Sequence, residues 1–326
     1  MYINFKYCVL EYLVVVIVMF KYTLDNKRYH TLNYFYKNKF GIKVFKVSLN
    51  AGFSCPNLDG TVGYGGCIYC SKSGSGEFGG DKNKSLTEQF NEMKLVVNKK
   101  NIPCKYIGYL QARTNTHASI ERLREVYEEV LSIPEVIGLN IATRCDAISD
   151  ECLDYLTEIN KRTLLTIELG LQTIHEDTSK LINRCHTLEQ FDLMVDKLRK
   201  RHINVVVHII NGLPYETEEM MLDTVRHVNK LDIQGIKIHM LHIIKDTAMA
   251  NLYLKEKFHV LSKEEYIDIV IKQLEILRPE IIVNRITSDP DKETLLEPTW
   301  LLDKCQLLND IDKEMKKRNT YQGVNL

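Results

Sequence analysis

The stretch Cys55-Pro-Asn-Leu-Asp-Gly-Thr-Val-Gly-Tyr-Gly-Gly-Cys67-Ile-Tyr-Cys70 places three cysteines in one short segment of a 326-residue chain. Its many glycines and its lack of helical periodicity are typical of a loop. It follows closely on Val44–Leu49, a run of β-branched and aliphatic residues that predicts a strand. We therefore expect a cysteine-bearing loop at the end of the first strand of the fold.

Three thiolates on one flexible loop suit an iron–sulfur cluster, which proteins hold through cysteine. Because a cubane has a fourth iron, three protein ligands would leave one iron open for chemistry. A zinc site and three unrelated buried thiols are the two alternatives. Structural zinc takes four protein ligands, and the loop contains no fourth Cys or His. The dense glycines argue against thiols that are merely buried.

Composition excludes several classes of protein. The chain has nine cysteines, an odd number that does not fit a secreted disulfide framework. The remaining cysteines are too scattered for a second cluster. Lys+Arg and Asp+Glu both number 43, so no overall charge points to a nucleic acid or a membrane. Only local charge can therefore indicate a partner.

The rest of the chain alternates between short aliphatic runs and longer stretches of helical periodicity. The predicted strands are Val44–Leu49, Tyr106–Leu110, Val136–Ala142, Leu164–Leu169, Val205–Ile210 and Ile236–Leu241. The predicted helices lie near 85–99, 119–131, 150–160, 188–201, 217–230 and 263–277, with N-caps at Ser85, Ser119, Ser149 and Thr217. Successive strand–helix units predict a parallel sheet covered on both faces, and the pattern alone leaves open whether it forms a barrel or an open sheet.

The N-terminal residues 8–20 are apolar, but this run is shorter than the about 20 residues that a membrane span needs and it contains Glu11. It also lacks the flanks of a signal peptide. A translation start at Met19, a peripheral anchor and an ordinary structured extension all remain open, and we expect no stable membrane insertion. The predicted organisation is an N-terminal extension over 1–20, a core over 21–280 and a C-terminal extension over 281–326.

The cysteine spacing C-x11-C-x2-C, with Tyr69 before the last cysteine and a β/α series around it, resembles the radical S-adenosylmethionine (SAM) superfamily. The flanking sequence is similar to that of the YhcC/YtqA-type radical SAM proteins, which are related to the radical SAM module of the elongator catalytic subunit. The stretches that carry this similarity are Arg28–Thr31, Phe40–Lys46, Gly52–Asn57, Asp59–Thr61, Gln111–Ala112, Thr114–Thr116 and Ile209–Pro214. Together they span nearly the whole chain from about residue 21.

The resemblance implies a partial (β/α)6 TIM-like barrel and a cytoplasmic, oxygen-labile enzyme. In such an enzyme Cys55, Cys67 and Cys70 bind a [4Fe–4S] cluster, and SAM binds the fourth iron. One electron cleaves SAM to methionine and a 5′-deoxyadenosyl radical, which removes a hydrogen atom from the substrate. The electron comes from an external flavodoxin-like or ferredoxin-like reductant.

The reactive centre of a β/α barrel lies at the carboxyl ends of its strands. The residues expected to contact SAM therefore end or follow predicted strands: Gln111, Arg144, Glu168, Gln172, Arg184, His208 and Gly212. The sequence departs from the family pattern at two of them, because glycines are missing before Gln111 and Cys145 replaces the proline after Arg144. A structural ion pair of Glu168 and a core position of His208 are the alternatives. No further catalytic residue is predicted.

The segment from Lys21 to Asn50 is basic and rich in aromatic residues, a composition that suits RNA. Its basic residues are Lys21, Lys27, Arg28, Lys37, Lys39, Lys43 and Lys46. A solvated face packed on the barrel is the alternative. The kinship to the elongator module implies a tRNA nucleobase as substrate, with the side chain of a wobble uridine favoured. A radical SAM enzyme for a small metabolite or peptide, and an iron–sulfur sensor or electron carrier, are the other hypotheses.

Overall fold

The computed structural model describes residues 20, 22–23, 27–74 and 76–326. The apolar run and the possible start at Met19 therefore lie outside the described residues, apart from Phe20. The strands are β1 (Lys43–Leu49), β2 (Cys104–Leu110), β3 (Val136–Thr143), β4 (Leu164–Gln172), β5 (Asn204–Asn211), β6 (Gly235–Met240), β7 (Ile243–Ile244), β8 (Ile282–Arg285) and β9 (Leu295–Glu297). The helices are α1 (Leu32–Phe40), α2 (Leu86–Val97), α3 (Ile120–Ser132), α4 (Asp150–Asn160), α5 (Glu176–Leu181), α6 (Leu188–Lys200), α7 (Glu218–Val228), α8 (Ala248–Glu256), α9 (Lys263–Ile276) and α10 (Lys304–Lys317).

The main sheet has seven strands in the order β1-β2-β3-β4-β5-β6-β8, all of them parallel. The strand order follows the chain order, as it does in a β/α barrel. The predicted partial barrel is thus confirmed, with one strand more than the six expected. The additional strand, β8, lies in the segment predicted to be a C-terminal extension. Strands β7 and β9 form a separate antiparallel pair.

Side chains of the sheet alternate between an outer face under the helices and an inner face toward the lumen. In β5 the outer residues Val205, Val207 and Ile209 are fully buried in the core. The inner residues His208 and Ile210 line the central cavity instead. The sequence of β5 is therefore apolar almost throughout, although one face of the strand lines the central cavity.

The helices begin where the sequence predicts. Ser85, Ser119, Ser149 and Thr217 each accept a hydrogen bond from a backbone N–H of the first helical turn. At Ser85 the cap is reciprocal, because the Glu88 carboxylate accepts a bond from the Ser85 N–H at 2.9 Å. These caps satisfy donors that a helix otherwise leaves unpaired.

Replacing Ser85 with Ala is expected to lower the free energy of unfolding by about 1 kcal/mol, because α2 loses its N-cap acceptor. The Ser85→Gly variant is expected to lose only a few tenths of a kcal/mol, since glycine frees the N–H groups for water. Urea unfolding of both variants measures the difference. Equal losses in the two would contradict a capping role.

Helix α1 closes the amino end of the open barrel. The residues before α1 lie beside the free edge of β8, where the Val283 N–H donates to the His30 carbonyl at 2.7 Å. From there the chain crosses as α1 to β1. Tyr36 of this helix is buried against Val44, near the start of β1, and Ile107, in the middle of β2. Helix α1 thus covers the sheet at the end opposite to the cysteine loop.

The C-terminal tail locks this closure in place. The Gln322 side chain accepts a bond from the His30 N–H at 2.8 Å and donates to the carbonyls of Arg278 and Ile281 at 2.8 and 2.9 Å. The Gln322 N–H donates to the Arg28 carbonyl at 2.9 Å. The residues before α1 and the end of the chain therefore form one hydrogen-bonded unit. No helix of the described residues is long and apolar enough to cross a membrane.

Candidate active site

A cavity of about 830 Å³ lies at the carboxyl ends of the strands, and its wall includes Cys55, Cys67 and Cys70. In parallel α/β folds this edge is where loops gather around a ligand. Six of the seven residues predicted to contact SAM also line the cavity: Gln111, Arg144, Glu168, Gln172, Arg184 and His208. Their roles toward SAM stay predictions.

The cysteine loop is held in shape by its own backbone. The Cys55 carbonyl accepts bonds from Leu58 and Asp59 at 2.8 and 3.1 Å, and the Asn57 carbonyl accepts one from Gly66 at 2.8 Å. At Gly63 a Cβ atom would lie 2.4 Å from the Asn57 side-chain oxygen, so only glycine fits there. The glycines thus let the loop fold tightly enough to carry its thiols on one side.

Cys67 and Cys70 share a hydrogen bond, which together with burial raises the pKa of Cys70 above its usual range. A hydrogen bond from Cys70 and the charge of Arg144 lower the pKa of Cys67 to about 6. The Asn57 amide also donates to the Cys67 sulfur at 3.6 Å. A thiolate is the form in which cysteine binds metal. Within the described part of the chain, no three His, Cys, Asp or Glu side chains converge on one single-ion site. The set of three thiols in one cavity wall fits an iron–sulfur cluster.

Two arginines stand beside this wall with different partners. The Arg144 guanidinium makes a two-pronged pair with Asp146 at 2.9 and 2.7 Å. The Arg184 guanidinium donates to the carbonyls of Leu171, Thr173 and His186 at 2.5 to 3.1 Å. Most of the N–H groups of Arg184 are therefore engaged by the backbone, and it fixes the loop after β4.

Gly212 is the predicted SAM contact that does not line the cavity. Its backbone has a φ of 80°, a conformation that favours glycine. A Cβ atom at this position would approach Met240 and Leu261 at 3.0 and 3.3 Å. The structure therefore accounts for this glycine through the turn after β5 and its packing.

The floor of the cavity is a charged cluster around Glu168. Its Oε1 accepts bonds from Lys46 at 2.7 Å and Asn140 at 2.6 Å, and its Oε2 accepts one from His208 at 2.9 Å. Lys237 forms an ion pair with the same Oε2. Burial alone would raise the pKa of Glu168, but the charges of Lys237 and Lys46 and the His208 hydrogen bond hold it well below its usual range.

Sequence reasoning missed most of this floor. Lys46, Asn140 and Lys237 each stand on an inward position of a strand, and Tyr109 lies beside the two lysines. The available signal was a polar residue inside an otherwise apolar strand, as at Asn140 and Lys237. The alternative of a structural ion pair for Glu168 thus matches its observed partners.

The described part of the basic and aromatic segment builds α1 and β1, at the end of the lumen opposite to the cysteine loop. An RNA surface on this segment stays a prediction, with Lys37 and Lys39 exposed on α1. Lys46 faces inward, Lys27 pairs with Asp312, and Arg28 donates to the Thr320 carbonyl at 3.2 Å. The alternative of a face packed on the barrel describes these three residues better.

Two family models match the chain. The one described as the radical SAM superfamily matches residues 63–228, and the one described as the radical SAM C-terminal domain matches residues 233–317. The protein YtqA of Bacillus subtilis is 50% identical over 93% of this chain and 94% of its own length. The protein YhcC of Escherichia coli K12 is 33% identical over 86% of this chain and 89% of its own length.

A solved structure supports the fold. The archaeal Methanocaldococcus infernus Elp3 superposes with a TM-score of 0.62 at 17% identity. The match covers 86% of this chain and 64% of the archaeal chain. At this identity the similarity establishes a shared architecture.

Proposed function

Since the chain belongs to the radical SAM superfamily and is an enzyme that uses a [4Fe–4S] cluster and SAM, we propose that Cys55, Cys67 and Cys70 hold the cluster and that the cavity holds SAM with its substrate. The observation that best supports this proposal is that all three thiols line one cavity at the carboxyl edge of the sheet. Such a cluster supplies one electron for the reductive cleavage of SAM, whose 5′-deoxyadenosyl product abstracts a hydrogen atom from the substrate.

Around that cluster, the residues of the chain would orient and shield the reacting groups. Arg144 places a positive charge beside the Cys67 thiolate. Gln111 accepts a hydrogen bond from Ser48 at 3.0 Å and lines the cavity, where it would contact SAM. An external flavodoxin-like or ferredoxin-like protein would deliver the electron, in the cytoplasm.

For the substrate, we propose a nucleobase in tRNA, with a wobble uridine side chain favoured. The sequence similarity to the elongator module supports this choice. The cavity mouth adds a chemical argument, because Phe78 is half-exposed there and Lys72 and Arg113 stand close by. An aromatic ring and cations next to one opening suit a base turned out of its stack.

A small anionic metabolite is the second candidate substrate. The observation that favours it is the charged floor, where two lysines surround one carboxylate. A neutral nucleobase would leave this charge without a counterpart. The same enzyme chemistry would apply to either substrate.

The test is anaerobic turnover of the reconstituted protein with dithionite and SAM, with 5′-deoxyadenosine as the readout. The reaction is run without RNA, with total tRNA and with the same tRNA digested to nucleosides. At least tenfold stimulation by intact tRNA alone supports the nucleobase substrate. Formation of 5′-deoxyadenosine at one rate in all three reactions rejects it in favour of a small metabolite. A well-formed cluster that never yields 5′-deoxyadenosine would overturn the enzyme and leave a sensor or electron carrier.

A further inference from the structure

The Glu168 carboxylate at the cavity floor has no free acceptor position. A carboxylate offers about four lone-pair sites. Lys46 and Asn140 occupy those of Oε1, and His208 and Lys237 occupy those of Oε2. The side chain of Glu168 is fully buried. It therefore serves as the internal counter-ion of the floor and has no oxygen lone pair left for a ligand hydroxyl or amine.

The floor nevertheless carries more positive than negative charge. Two ammonium groups, those of Lys46 and Lys237, share the single charge of Glu168. Nearby, Asp289 pairs with both Arg285 at 2.9 Å and Lys304 at 2.8 Å. Glu168 and Asp289 are thus each shared by two cations. Buried charges without a full counterpart are costly, and a bound anion would offset that cost.

Lys237 is the cation best placed to meet such an anion. Its ammonium carries three N–H donors. One serves Glu168 and another reaches the Tyr109 hydroxyl at 3.0 Å, which are its hydrogen-bonding partners among the described residues. Both Lys237 and Arg285 line the cavity. Burial and the charges of Lys46 and Arg285 lower the pKa of Lys237 to about 7 against the opposing charge of Glu168, and an anion beside Lys237 would favour its charged form.

The floor is separate from the wall that carries the cysteines. Lys237 lies three residues before the end of β6, which places it about 10 Å below the carboxyl edge at the strand rise of about 3.3 Å. The charges that shift the pKa of Lys237 are those of Glu168, Lys46 and Arg285. The cation that lowers the pKa of Cys67 is a different one, Arg144. An anion at the floor would therefore occupy a different place from a ligand of the cluster.

We propose that the floor of the cavity binds an anionic group of the substrate, a carboxylate or a phosphate, through Lys237 and Arg285. The inference rests on the proposed function in one respect, namely that the molecule held there is the one modified. It adds the chemical class of that molecule. A nucleotide phosphate and an organic acid both carry the negative charge that this site would bind. The two are distinguished by whether inorganic phosphate or a small dicarboxylate binds more tightly.

Isothermal titration calorimetry of the cluster-loaded protein with inorganic phosphate and with malonate tests the site, and neutral malonamide serves as the control ligand. At least one anion is expected to bind and malonamide is not. Tighter phosphate binding identifies a nucleotide-type ligand, and tighter malonate binding identifies an organic acid. If neither anion binds at millimolar concentration, the proposal is overturned.

Matched variants locate the binding. Lys237→Met and Arg285→Met are expected to weaken anion binding at least tenfold, whereas Lys313→Met, an exposed lysine on α10, is expected to leave it unchanged. Circular dichroism checks the fold of each variant, and Arg285→Met keeps the test decisive if Lys237→Met does not fold. Equal binding by all folded variants would place the anion elsewhere and overturn the proposal.

The same titrations with saturating SAM separate this site from that of the cofactor. Anion binding that persists with SAM present supports a substrate site. Binding abolished by SAM would assign the floor to the SAM carboxylate and overturn the proposal. Formation of 5′-deoxyadenosine by the wild-type protein, measured separately, reports on the proposed function regardless of either result.

Discussion

The Cys70→Ala protein is expected to lose its iron–sulfur cluster. Wild-type protein reconstituted with iron and sulfide should hold about four irons per chain with the visible absorption of a [4Fe–4S] cluster. With one of its three thiol ligands missing, the cubane is expected to fall apart, and iron content should drop to near background. Formation of 5′-deoxyadenosine from SAM should disappear with it. Iron analysis, visible absorption and product quantification measure these outcomes.

Cys305→Ala is the matched control, because Cys305 is an exposed thiol at the start of α10 and outside the cavity wall. This variant should keep wild-type iron content and turnover. Cys55→Ala and Cys67→Ala should behave like Cys70→Ala. A full cluster in any of these three would show that the substituted thiol is not a ligand of the cluster.

Glu168→Gln is expected to lower the free energy of unfolding by about 3–5 kcal/mol at neutral pH. The substitution leaves Lys46 and Lys237 without their counter-ion, and an uncompensated buried charge is the costly part of a broken pair. Glu125→Gln, which removes an exposed partner of Arg122, is the control and should cost about 0–1 kcal/mol. Urea unfolding of the two variants beside the wild type gives the comparison.

The loss of unfolding free energy caused by Glu168→Gln should become smaller as the pH falls. The pKa of Glu168 in the folded protein lies well below its ordinary value of 4.5, so the folded state binds the proton less readily than the unfolded state. The stabilisation by this carboxylate is therefore complete above about pH 4.5 and declines as pH falls toward the folded pKa. The stability gap between wild type and Glu168→Gln should narrow below pH 4.5. A gap that widens in acid would contradict the ion-pair assignment.

The elements that local sequence determines were predictable. Predicted N-caps such as Ser149 and Thr217 head helices, because a serine or threonine acceptor acts within one turn and needs no tertiary information. Strand β8 was missed because four residues, Ile282–Arg285, carry too little alternation to stand out. Its place at the sheet edge depends on pairing with β6, which is a tertiary contact.

The sequence predicted the part of the candidate site whose residues lie close together in the chain. It did not predict the part that depends on which face of a strand a side chain occupies. Cys55, Cys67 and Cys70 are close in sequence, so their loop brings them to one wall. Composition counted Lys46 among the basic residues of a possible RNA surface, but strand alternation turns its side chain into the lumen, where it pairs with Glu168. Lys237 was overlooked within an aliphatic run for the same reason. The direction of a side chain across a sheet follows from the curvature of the whole barrel.

The closure of the barrel by α1 has a kinetic consequence. Because α1 covers the amino end around Tyr36, we expect a ligand to reach the floor from the carboxyl edge, past the cysteine wall. A molecule held at Lys237 and a molecule held at Cys67 therefore share one passage. Arrival and departure along a shared passage are sequential, so the deeper ligand enters first and leaves last. Steady-state kinetics of this enzyme should follow a compulsory order rather than a random one.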